Sequence, residues 1–155
     1  MKKINFQRGQ SLLELSISLV LLLILLSGAV EFGMAFFQFV QLQDAAQEGA
    51  LYGSMNPGNC TQIVERVIGA SDSPVDLNGA GVTITAKIID HTTNTEYDCA
   101  STAADSFDCE QNGVQVEVTY EHQIFMPFLP QILGRNTLPL KASVTDTILS
   151  PFACT

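Results

Sequence analysis

Glu14 carries the sharpest chemical signal in this chain: a carboxylate set inside an almost uninterrupted apolar run, just behind Lys2, Lys3, Arg8 and Gly9. An acid in a membrane helix costs roughly 2.5 to 3.5 kcal/mol at mid-bilayer, and such residues are usually functional. Closeness to the helix N-terminus softens that cost, because the helix dipole favours an acid there. The chemistry it suits is charge pairing in apolar surroundings; the bland alternative is an interfacial glutamate that caps the helix. Glu31 lies seventeen residues further on, roughly 25 Å along a helix axis. It is expected to reach the outer headgroups, with burial against another subunit as the second reading.

The cysteines form the next set. Cys60, Cys99, Cys109 and Cys154 all follow the apolar run, and an even count in an oxidising compartment suggests two disulfides out of three possible pairings. Cys99 and Cys109 flank a polar loop and are expected to close it locally. Cys60 and Cys154 would then tie the start of a helix to the end of the chain.

Other constellations are weaker. No CxxC spacing occurs, and His91 and His122 stand alone in the sequence, so each is expected at the surface or satisfied in place. Asp98, Asp105, Asp108 and Glu110 cluster but lack the regular spacing of a calcium loop, which favours a solvated acidic loop. Nothing resembles a nucleophile elbow, a phosphate loop or a triad. Neither enzymatic activity nor a cofactor or metal is expected.

The elements that must position these residues follow from hydropathy and charge. The 155-residue chain has room for one small domain and a membrane segment. No charge occurs from Leu15 to Val30, and the apolar character resumes from Phe32 to Val40. About 20 residues suffice to span hydrocarbon, and the remaining chain is too small to cover such a helix on all sides. Lys2, Lys3 and Arg8 precede the run, so the N-terminus is expected in the cytoplasm and the cysteine-bearing part outside. From Asp44 onward fourteen acids face Arg66, Lys87, Arg135 and Lys141, a net −10 within an overall −9. That surface repels nucleic acid and anionic lipid.

Ser11 to about Tyr52 reads as one helix, uninterrupted by proline until Pro57. Phe39, Leu42, Ala46 and Ala50 recur on one face of its outer half. Turn residues from Gly53 to Cys60 end it. A second helix is expected from Thr61, as cap, to about Ala70, then a loop over 71–81. Strands are expected over Val82 to Asp90, Val114 to Phe125 and Leu138 to Leu149. In the second of these, Val114, Val116, Val118 and Tyr120 share the face to be buried. The emerging helix is the natural cover for it. The expected fold is α+β: a long N-terminal membrane-spanning helix continuing into a small antiparallel β-sheet head.

Together, Arg8-Gly9, Glu14, the run from Leu15 to Val40, the Ala- and Gly-rich stretch from Ala45 to Gly53 and the β-rich tail resemble type IV prepilins. Within them they resemble the TadE-like pseudopilins of the tight-adherence (Tad or Flp) pilus. Leu15 and the chain's length set it apart from the major Flp pilins. The resemblance implies that a membrane prepilin peptidase cuts between Gly9 and Gln10. It divides the chain into a leader over 1–9, a transmembrane and amphipathic helix over 10–53 and an extracytoplasmic head over 54–155. Loss of Lys2, Lys3 and Arg8 would move the formal charge from −9 to −12. It further implies that Glu14 meets the new amino terminus of a neighbouring subunit, and that the partners are the peptidase, other pilins, the inner-membrane assembly platform and membrane lipid. The implied location is the bacterial inner membrane, single-pass, with incorporation into a pilus. The rival readings are an uncleaved signal-anchored envelope protein acting as a binding module, and a secreted protein cut after Ala29.

Overall fold

The computed structural model describes residues 7–100, 112–127 and 129–149, with side chains described from Gln10 onward. Helix α1 runs unbroken over Gln7–Met55. Leucine is its commonest residue and a good helix former. It stops just before Pro57, where Asn56 N–H still reaches Tyr52 O at 3.0 Å. Helix α2 spans Cys60–Gly69, packing Ile63 and Val67 inward. Its N-cap is Asn59, not Thr61, and no side chain caps it. The preceding turn supplies backbone instead, with Ile63 N–H on Asn59 O at 3.0 Å.

Four antiparallel strands follow: β1 Val82–Ile89, β2 Glu96–Asp98, β3 Gly113–Gln123 and β4 Thr137–Thr147. Their order across the sheet is β2-β1-β3-β4. β3 and β4 pair along their whole lengths, from Gly113 with Thr147 to Gln123 with Thr137, and a short helix α3, Leu129–Leu133, lies in their connection. Three strands stand where the alternation placed them; β2 and α3 are too short to impose a period of their own. The fold is α+β, as expected.

The core forms where one face of the sheet meets α1. Val114, Val116 and Val118 of β3 are fully buried against a stripe on α1 that includes Leu42, Ala45, Ala46 and Ala50. Small residues make this approach possible. A Cβ on Gly49 would stand 2.4 Å from Val67 Cγ2, and one on Gly53 would stand 2.7 Å from Val114 Cγ1. The other face is wet, and ion pairs cross it from Lys87 to Glu96 at 2.7 Å and from Lys141 to Glu117 at 2.8 Å.

The disulfide differs from expectation. Cys60 bonds to Cys99, with Cα atoms 5.8 Å apart, which overturns both Cys99–Cys109 and Cys60–Cys154. The reason is β2. It folds back on β1, Cys99 N–H donates to Ala86 O at 3.0 Å, and the cysteine is carried to the start of α2. Cys109 and Cys154 lie outside the described residues.

Candidate functional site

Along α1 the exposure pattern divides the helix in two. Every side chain from Gln10 to Leu26 is exposed, whereas from Ser27 a stripe of half-buried and buried positions runs to Ser54. Glu31, Ala35, Gln38, Leu42, Ala45 and Gly49 follow one another at spacings of three and four, the repeat that keeps one face toward a partner.

On the bare half, Glu14 is exposed and makes no hydrogen bond or ion pair with any described residue. Its neighbours Leu12, Leu13, Leu15 and Ile17 are each more than 60% exposed, so the carboxylate sits in a sleeve of uncovered apolar surface. Gln10 is likewise exposed, and the Gly9–Gln10 bond falls within the helix, close behind its first residue Gln7. Lys2 and Lys3 lie outside the described residues, as do the side chains of Arg8 and Gly9. The helix is long and apolar enough to cross a membrane by length and composition.

On the covered half, Glu31 does not reach toward headgroups. It is 8% exposed and turned into the seam between α1 and the sheet. One carboxylate oxygen, Oε1, lies 3.0 Å from His122 Nε2, and both oxygens accept the Phe125 N–H, at 3.1 and 3.2 Å. The other ring nitrogen, His122 Nδ1, is 2.6 Å from Gln38 Oε1. An amide oxygen only accepts, so Nδ1 donates to it, while Nε2 faces the carboxylate at hydrogen-bond distance. His122 is 1% exposed, with Phe125 edge-on to its ring. Burial this complete is tolerated because each polar group finds a partner. The cluster thus pins the end of β3, and Phe125 just beyond it, to positions two turns apart on α1.

Sequence reasoning brought neither residue to the other, because they are 91 positions apart. Strand parity held the missing signal. His122 shares the face of Val114, Val116 and Val118, and Glu31 shares the stripe of Leu42 and Ala45. His91, by contrast, is exposed. Of the acidic group, Asp98 is described and accepts Ala100 N–H at 3.0 Å, while Asp105, Asp108 and Glu110 lie outside the described residues. Among the described residues no histidine, cysteine or acid cluster gathers to hold a metal.

Outside the junction, local charge shapes the β1–β2 turn. The Asp90 carboxylate is held below its ordinary 3.8, first by the Thr93 hydroxyl at 2.5 Å and then by Thr92 N–H at 2.8 Å.

Residues 9–51 match the family model of the TadE-like proteins. The expected resemblance is borne out over these residues, which lie within α1. No curated protein and no solved structure matches the chain.

Proposed function

We propose that this chain is a minor pilin or pseudopilin, a structural subunit of a Tad-type pilus system that takes part in assembly and adhesion. The bare segment from Gln10 to Leu26, bearing Glu14, which has no partner among the described residues, and lying inside the matched region, carries this reading. A helix apolar all round needs lipid or other helices as cover. First the bilayer would supply it, then the packed helices of an assembly.

In this mechanism the chain inserts with Lys2, Lys3 and Arg8 inside and the acidic head outside. The prepilin peptidase then cuts after Gly9, a residue that leaves the scissile backbone unhindered. Removing the leader discards the basic anchor and exposes a new amino group at Gln10. Glu14 of a neighbouring subunit pairs with that amino group, offsetting both charges in an apolar surround and setting the register of one helix on the next. Partners are then other pilins and the inner-membrane assembly platform.

Intact mass of the protein extracted from membranes tests this directly. A mature chain starting at Gln10 is expected, and Gly9→Val is expected to leave the full-length form. A start at Met1 or Val30 in the unaltered protein, or a mature mass indifferent to Gly9, overturns the reading. Glu14→Ala should insert normally yet reduce piliation; normal piliation would return Glu14 to helix capping.

A further inference from the structure

We infer that the described residues of the β3–β4 connection, 124–127 and 129–134, insert into the outer half of the bilayer beside α1 and contact lipid acyl chains. The inference rests on reading α1 as membrane-spanning, and the depth of the head along α1 is what carries it. Spanning hydrocarbon takes about 20 helical residues. The part of α1 whose side chains are all exposed, Gln10 to Leu26, supplies only roughly 25 Å at 1.5 Å per residue. With Glu14 near the inner headgroups, a span of about 20 residues counted from Leu15 ends near Met34. The head already touches α1 at Ser27, and Met126 and Pro127 share a groove with Val20, Leu23 and Ile24. The tip of the connection therefore lies level with residues that must be inside the hydrocarbon.

Its chemistry suits that depth. No charged residue occurs from Ile124 to Gly134, and the first beyond it is Arg135. Phe125 is 70%, Ile132 78% and Leu133 44% exposed. Polar backbone in lipid must be satisfied internally. Here Ile124 N–H bonds Asn136 O at 3.0 Å, Leu129 N–H bonds Met126 O at 3.3 Å and Gly134 N–H bonds Pro130 O at 2.9 Å. Pro127 and Pro130 carry no N–H at all. The N–H of Phe125 is taken by Glu31, so the buried acid that pins the head also removes a donor from the lipid-facing lip.

The chain contains no tryptophan, so single substitutions report position cleanly. Full-length Ile132→Trp and Phe125→Trp variants in phosphatidylcholine vesicles should show blue-shifted emission that loses intensity when the acyl chains are brominated. Leu22→Trp marks the spanning helix and should be quenched likewise, and Glu65→Trp, exposed on α2, should be unaffected. Quenching of Leu22→Trp with neither tip variant quenched overturns the inference while leaving the membrane helix standing. If Leu22→Trp is not quenched either, the membrane reading fails and the inference falls with it. A tip emission that is blue-shifted yet insensitive to bromine, and that reddens as the protein is diluted in lipid, assigns the tip to a neighbouring subunit and also overturns it.

Discussion

Residues 10–26 and 27–54 of α1 are one continuous helix with opposite relations to the rest of the molecule. The first stretch is leucine-rich on every side and keeps all its side chains exposed; the second carries a seam of small and polar residues on which the whole head is built. The difference is one of pattern, since both stretches are apolar. A uniform sleeve specifies a surrounding, whereas a seam of Ala45, Ala46, Gly49 and Ala50 specifies one partner at one distance. Even the two acids follow this division, with Glu14 uncovered and Glu31 enclosed by His122 and Phe125 N–H.

Perturbing the covered half should therefore unfold the head and spare the bare half. The largest effect is expected from Cys99→Ala. The bond it removes closes a separation of 39 residues, and loop-closure entropy for that length is about 4 kcal/mol. The head's thermal transition should fall markedly while membrane insertion persists, and peptide mapping of the unreduced parent should recover Cys60 joined to Cys99. His122→Ala should cost roughly 3 kcal/mol, since it leaves the Glu31 carboxylate buried without its ring partner. The contrasting Glu14→Ala should leave the head's melting unchanged, and a loss there equal to that of His122→Ala would erase the distinction between the two halves.

Gly49→Ala comes next, at about 1–2 kcal/mol. The overpacking of a Cβ set 2.4 Å from Val67 Cγ2 is only partly offset by better helix propensity. The same change at Gly28, where a Cβ meets nothing within 4 Å, should be neutral or mildly stabilising to the helix. Acid supplies the smallest effect. Because Asp90 is held below 3.8 in the fold, its contribution to the β1–β2 turn is present above that pH. It is lost as pH falls through the lower folded value. Amide exchange at Thr92 should accelerate there without change at the α1 seam.

Periodicity made the long helix, α2 and three strands legible, because each is long enough for a repeat to show against its neighbours. The face of β3 and its cover by α1 followed from the alternation of Val114, Val116 and Val118. β2 was hidden in three residues, and with it the path that carries Cys99 to Cys60. Glu31 was misplaced because an acid within a hydrophobic helix prices only its desolvation locally; the histidine that answers it arrives with the far end of the sheet. The cleavage proposed between Gly9 and Gln10 rests on a short local pattern that needs no fold to be read.

Because α1 continues from Gln7 to Met55 without a break, the bare half and the head share one helix. Sliding α1 by one residue against a neighbour would raise the head about 1.5 Å and turn it by about 100°. The helix behaves as a keyed shaft: whichever contact fixes its lower end also decides which side of the head faces outward.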